Sequence, residues 1–517
     1  MKKLMLITLS IILVPMFIFS ETYTYYVYQN NVEMGSISVD VDPHSYTGKT
    51  TTVLQVGLNT VKYVGQTKYD NAWTFKEYNL DIYVDNQKQV SFKSSYDGQK
   101  INNYFDGISL KSYEVSDAII LDNNLILDHI FAIYYKQLTD GTYTSFIPQL
   151  VLNQLTWDYA VLNIDIKYID SENFVISSPG VDQKVTFKDN KLIRLEIPSQ
   201  LIEVTESKKE VEEKSYIEKE TTFPSFDGFE LNGSLMFPKE TQKNEKIPAI
   251  VLVHGSGAND RNESISYMAP FLQLSEGLVN NGYIVLKYDK RNYTMMKNKQ
   301  DTSNVMPLDF IKDAQAAIKY LKTIPEVDSD KIIVIGHSEG GSFLPHIVKG
   351  EKVAAAVALS PGLIEITDLM VYQIEYQINY LKKLNVDKSQ DYTITMLENL
   401  LAQLKEVNND MKNGKIDPDK VYLDYYKGSY LIQWSELTKN TVEEFVNMQV
   451  PLLIINGTQD LKTPYELLKE KENQLKQKKD LEIVYIENMG HELYRSDTGV
   501  FEDSVIDQIV NWLKKVL

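Results

Sequence analysis

The chain has no cysteine among its 517 residues. That absence removes thiolate nucleophiles, disulfide frameworks and thiolate metal sites together. Histidine is scarce, at six, so imidazole chemistry has few candidates. Basic residues are outnumbered by acidic ones, 53 to 71, for a formal net charge of −18. A nucleic-acid partner calls for a basic face, and this balance argues against one. No comfortable membrane span is present at the N-terminus either. Residues 4–19 are almost wholly apolar behind Lys2 and Lys3, but the run is short and Pro15 interrupts it. Residues 1–20 read as an export signal, with an uncleaved anchor as the alternative. A lipid-modified anchor is excluded, because no cysteine follows.

What is present exceeds one ordinary domain, so two or more cores are expected. Residues 21–200 have the texture of strands. The stretches 23–28, 53–64, 80–84, 161–168 and 174–177 are rich in β-branched and aromatic side chains. Asp97-Gly98, Asp106-Gly107, Asp140-Gly141 and Asp189-Asn190 punctuate them as turns. Only residues 150–160 hint at a helix. The expectation is a β-rich domain, a curved antiparallel sheet or sandwich of about eight or more strands. Its tyrosines suit a half-buried sheet surface, and nothing in it discloses a chemistry.

A dense mixed-charge run within 201–220 marks a linker or an exposed first strand. Beyond it, over residues 221–517, the texture changes. A hairpin around Asp227-Gly228 gives way to strands and helices in alternation, the pattern of a mostly parallel sheet covered on both faces. Strands are expected at 247–253, 283–288, 331–335, 353–359, 450–455 and 481–486. Helices are expected at 267–280, 310–321 and 501–517.

The strand at 331–335 runs into Gly336-His337-Ser338-Glu339-Gly340, a G-x-S-x-G pentapeptide. Glycines on both sides let neighbouring backbone approach while a serine is held exposed on a strained corner. Alone the pattern recurs by chance, so context decides. A serine hydroxyl is a poor nucleophile and needs a base, which in turn needs an acid to hold its tautomer. Downstream of His346 the only histidine is His491, on the loop after one strand. Asp460 lies on the loop after the strand before it. Parallel strands bring Ser338, Asp460 and His491 to one carboxyl edge, where open α/β sheets bind ligands.

Several pieces together resemble the α/β-hydrolases of the bacterial carboxylesterase type, related to serine aminopeptidases. They are His254-Gly-Ser-Gly257, Tyr288-Asp-Lys-Arg291, the pentapeptide, residues 457–460 and Gly490-His491, so the likeness covers about residues 216–517. Ala258-Asn-Asp-Arg261 also resembles a loop of these esterases, and Asn292 stands where similar proteins often carry glycine. The resemblance implies an α/β-hydrolase fold with nucleophile Ser338, base His491 and acid Asp460. It also implies an oxyanion hole from the backbone N–H groups of Glu339 and Ser256, with His254, Gly255 and Gly257 beside the substrate.

Residues 363–448 exceed the minimal fold and are expected as a helical cap, with helices at 366–384 and 395–407. Tyr372, Tyr376 and Tyr380 recur every four residues and are expected to wall the pocket. The sequence thus reads as an exported serine hydrolase acting on small-molecule esters of short to medium acyl chains, with no cofactor and no metal. A peptidase using the same triad, and a surface ligand-binding protein working through the N-terminal sheet, are the alternatives. Oligomeric state is not written in these motifs.

Overall fold

A computed structural model describes residues 21–29, 32–56, 59–122, 125–152, 160–178, 181–209, 214–239, 246–265, 268–384 and 391–517. The expected export signal at 1–20 lies outside the described residues. Among those described, no helix is long and apolar enough to cross a membrane. The chain divides into two units, Met1–Lys209 and Glu210–Leu517.

Among the described residues, the first unit is built on one sixteen-stranded sheet. Most strands pair with their neighbours in sequence. The two halves join where Glu21–Gln29 pairs antiparallel with Ile202–Thr205, Tyr26 opposite Thr205. The expected strand at 53–64 is two strands of a hairpin, Thr47–Val56 and Asn59–Tyr69. Among the described residues, the α-helix of this unit is Asp128–Lys136. Its sequence, rich in Ile, Phe and Tyr, carries strand propensity, and burial of Ile130, Phe131 and Ile133 in the core overrides it. Of the segment expected to be helical, 150–152 end a short 3₁₀ turn and 153–159 lie outside the described residues. Asp128 is buried and accepts from Thr50 Oγ1 at 2.6 Å and Tyr69 Oη at 2.9 Å, which docks the helix on the sheet.

The second unit carries an eight-stranded sheet: β1 (Tyr216–Pro224), β2 (Glu230–Pro238), β3 (Ile247–Val253), β4 (Ile284–Tyr288), β5 (Val327–His337), β6 (Ala355–Leu359), β7 (Leu452–Gly457) and β8 (Leu481–Ile486). The order is β1-β2-β4-β3-β5-β6-β7-β8, antiparallel through β2–β4 and parallel thereafter. The charged run is therefore shared: Ile202–Thr205 belongs to the first sheet and β1 opens the second.

Parallel strands covered on both faces are apolar throughout, and alternate residues serve different cores. Ala249, Val251, Ile332, Val334, Leu452 and Ile454 face one core, shared with helix Pro307–Leu321. Ile250, Leu252, Ile333, Ile335, Leu453 and Ile455 face the other, with helices Pro270–Asn280 and Ser504–Val516. Between β6 and β7 the chain inserts helices Ile366–Leu384, Asp391–Lys412, Gly428–Thr438 and Thr441–Asn447. The first matches its expected bounds, the second is longer at both ends, and the last two go beyond the expected helices.

Candidate active site

Ser338 stands on the corner between β5 and a short helix that begins at Glu339. Its φ of 51° and ψ of −114° put a residue with a Cβ where glycine is favoured, a strain of order 1–3 kcal/mol. The surroundings enforce the corner. A Cβ on Gly336 would sit 2.3 Å from the Gly340 carbonyl oxygen, and one on Gly340 would sit 2.4 Å from that of Val253. The small residues of the pentapeptide are a packing requirement.

The carboxyl edge gathers the three expected side chains. Ser338 Oγ lies 3.0 Å from His491 Nε2, and His491 Nδ1 lies 3.0 and 2.9 Å from the two carboxylate oxygens of Asp460. Asp460 is buried and further held by the amides of Lys462 and Thr463, at 2.8 and 2.7 Å, and by Thr463 Oγ1 at 2.8 Å. Burial alone would raise its pKa. His491 and these hydrogen bonds outweigh burial and hold the carboxyl below its usual range. An ionised Asp460 fixes the proton on Nδ1 and leaves Nε2 free to accept from the serine. Asp497, another acid near His491 in sequence, is taken by Arg495 at 3.0 and 2.6 Å.

The loop after β3 passes directly over this corner, since a Cβ on Gly255 would meet Ser338 Cβ at 3.0 Å. Ser256 lines the cavity at Ser338, and its amide donates to no acceptor among the described residues. The amide of Glu339, the first residue of its helix, lacks a helical acceptor. Both expected oxyanion donors therefore lie beside the serine.

The cavity at Ser338 holds about 330 Å³. Its walls include Leu369, Met370 and Ile374 from the first inserted helix, Leu400 and Leu404 from the second, and Tyr426 and Trp434 from the later part of the insertion. A second cavity of about 370 Å³ adjoins it, sharing Ser256, Tyr426 and Trp434 as a wall.

The expected pocket residues need correction. Tyr372, Tyr376 and Tyr380 do not line either cavity. The spacing of four did place them on one side of their helix, but the cavity side carries Ile366, Leu369, Met370, Gln373 and Ile374. Tyr376 instead donates to Glu466 Oε1 at 3.1 Å and stacks on Tyr372. His254 is buried against Tyr288 and Phe271, where burial drives its pKa down to about 4. It packs behind the loop. Gly257 lines the second cavity, and Gly255 borders the serine by backbone alone.

Four side chains near the serine had no role in the sequence reading. His337 Nδ1 lies 2.9 Å from Glu263 Oε2, and Lys290 Nζ donates to Glu339 Oε2 at 2.8 Å. All four are buried. The Tyr288-Asp-Lys-Arg291 motif marked Lys290 but not its use; Glu263 carried no signal. The rest of that motif is also internal: Asp289 holds the Arg261 guanidinium, and Arg291 holds Asp313. Asn292 donates to the Gly257 carbonyl at 3.2 Å, so this departure from the common glycine braces the same loop.

Residues 245–498 match the family described as Serine aminopeptidase, S33. Esterase EstD of Thermotoga maritima is 26% identical over 374 residues, covering 69% of this chain and 80% of its own length. That share is more than the C-terminal unit alone supplies, so the likeness reaches into the N-terminal unit. Among solved structures, the Pyrococcus furiosus esterase PF2001 covers 58% of this chain and 92% of its own, at 18% identity and a TM-score of 0.38. Est1E from Butyrivibrio proteoclasticus covers 57% and 96%, at 19% identity and a TM-score of 0.36.

Proposed function

We propose, from the premise that the C-terminal unit belongs to the α/β-hydrolase superfamily in its carboxylesterase and serine aminopeptidase-like group, that the protein is an exported serine hydrolase cleaving carboxylic esters. The observation that carries this reading is the unbroken chain Ser338 Oγ–His491–Asp460, with Ser338 on a strained corner.

In the proposed reaction Ser338 Oγ attacks the ester carbonyl while His491 Nε2 takes its proton. The carbonyl oxygen becomes an oxyanion held by the amides of Ser256 and Glu339, each worth a few kcal/mol in the transition state. Collapse expels the alcohol, which takes the proton from His491. Water then attacks the acyl-enzyme with His491 again as base, releasing the acid and restoring Ser338. Asp460 stays ionised throughout and stabilises the imidazolium that forms twice.

Residues 363–448 act as a cap in this reading, supported by the side chains they contribute to the cavity at Ser338. A confined volume with largely apolar walls favours short to medium acyl groups and excludes folded polypeptides. Export rests on residues 1–20; N-terminal sequencing of protein from the culture medium or periplasm should find a start just after Ser20.

The ester preference draws on the name of the Thermotoga maritima relative, whereas the family description names a serine aminopeptidase, which supports the alternative of a peptidase acting on short peptides. One panel separates them: p-nitrophenyl esters of graded acyl length beside aminoacyl-p-nitroanilides. Turnover of the esters at far higher kcat/KM is expected. Hydrolysis of the anilides alone would overturn the ester reading.

A further inference from the structure

The residues on either side of Ser338 both reach the same glycine. Glu263 bridges His337 to the Gly255 amide, which donates to Oε1 at 2.6 Å. Lys290 bridges Glu339 to the Gly255 carbonyl, which accepts from Nζ at 2.6 Å. Asn259 Nδ2 adds a second bond to that carbonyl at 3.1 Å. We propose that His337–Glu263 and Glu339–Lys290 form a two-sided clamp on Gly255, and that these four are positioning residues for the oxyanion hole.

The argument starts from the peptide unit. The bond between Gly255 and Ser256 is trans and planar, so the Gly255 carbonyl and the Ser256 N–H point in opposite directions. Fixing the carbonyl on Lys290 and Asn259 turns the Ser256 N–H the other way, to the side where an oxyanion on Ser338 would form. Fixing the preceding amide on Glu263 removes the remaining freedom of a glycine, the residue with most to lose. A cation on the carbonyl also polarises the peptide and strengthens its N–H as a donor.

The second donor is coupled to the same device. Glu339 supplies its own amide to the hole and its side chain to Lys290, so one ammonium ties both donors together. Lys290 further stands 4.1 Å over the Phe310 ring. The side chains of Lys290 and Glu339 are 4% and 3% exposed, and those of His337 and Glu263 are 3% each. Removing one member of a buried pair leaves the other charge uncompensated, which is costly and fixes the arrangement. Glu263 also holds a left-handed φ of 53° while fully enclosed, a strain tolerated where the side chain must aim in one direction. Burial opposes both charges, yet the Glu263 carboxyl is held below its usual range and His337 is raised to about 8, each by the other.

The assignment rests on Ser338 chemistry as proposed, and the test keeps the two apart. Full-length wild type, Lys290→Met, Glu263→Gln and Glu339→Gln are compared on p-nitrophenyl butyrate. Inhibition by a trifluoromethyl ketone, whose serine adduct places an oxyanion in the hole, and the rate of fluorophosphonate labelling are measured alongside. Lys290→Met should lose roughly 10²–10³-fold in kcat with KM little changed, and the ketone should weaken by the same factor. A melting curve checks the fold; should Lys290→Met not fold, Glu339→Gln is read in its place, with at least a tenfold loss expected in both quantities. Near-normal kcat in folded variants overturns the clamp. So does lost kcat with unchanged ketone affinity, or a rise in KM that accounts for the whole effect. A wild type that labels at Ser338 but cleaves no ester refutes the ester reading alone, and the clamp is then decided by labelling rates, which need the same two amides. A wild type that does neither rejects both.

Discussion

The carbonyl oxygen of His491 accepts a 2.8 Å hydrogen bond from His337 Nε2, so the residue before the serine holds the backbone of the histidine that touches it. A carbonyl only accepts, so that nitrogen carries a proton. The Glu263 carboxylate on Nδ1 favours a second.

A charged His337 makes stability depend on pH in a defined direction. Burial disfavours its charge, and Glu263 with the His491 carbonyl more than compensates, raising the pKa from an ordinary 6.5 to about 8. A raised pKa contributes stability that is complete below about pH 6.5 and lost as pH climbs through about 8. The shift corresponds to about 2 kcal/mol. Thermal unfolding of the full chain from pH 6 to 9 should show wild type losing its advantage over His337→Gln across that window. A constant difference between the two would mean that His337 is neutral throughout.

Asp460→Asn should leave the shape of the site and lose up to about ten-thousand-fold in kcat, because an amide beside Nδ1 permits the wrong tautomer. Asp497→Asn should keep wild-type rates, since Arg495 occupies its carboxylate. Steady-state kinetics on one ester decides both. A large loss only in the second variant would reassign the acid.

The sheet, its hairpin entry and the serine corner were legible because parallel buried strands are written as unbroken apolar runs, and corners are written in glycine. Ile247–Val253 and Ile366–Leu384 matched to the residue. That Ser338, Asp460 and His491 meet was legible from chain order and strand ends, since one topology carries all three to the same edge. The missed helix Asp128–Lys136 spells a strand locally and is helical through its burial. The tyrosine row on Ile366–Leu384 shared one side of the helix, but period alone does not say which side meets the serine. Glu263 and Lys290 act by distance across loops, and no local pattern announces a charge that reaches another loop's backbone.

That correction moves the proposed acyl length limit to other side chains. Leu404 and Met370 wall the cavity at Ser338, whereas Tyr376 is held by Glu466. Leu404→Ala and Met370→Ala should shift the optimum to longer acyl chains, each extra methylene accommodated being worth about 0.8 kcal/mol, roughly fourfold in kcat/KM. Tyr376→Ala should leave the length profile as it is. A p-nitrophenyl acyl series on the three variants tests this, and a shift in Tyr376→Ala alone would return the tyrosines to the wall.

Covalent capture of the acyl group tests the central claim most directly. Full-length protein is mixed with a p-nitrophenyl ester, quenched in acid within the first turnover and mapped by peptide mass spectrometry. The mechanism predicts one acyl group per chain, on Ser338. In Ser338→Ala it predicts none, with an unchanged fold and turnover lower by several orders of magnitude. An acyl group on another residue, or turnover that persists in that variant, would contradict it.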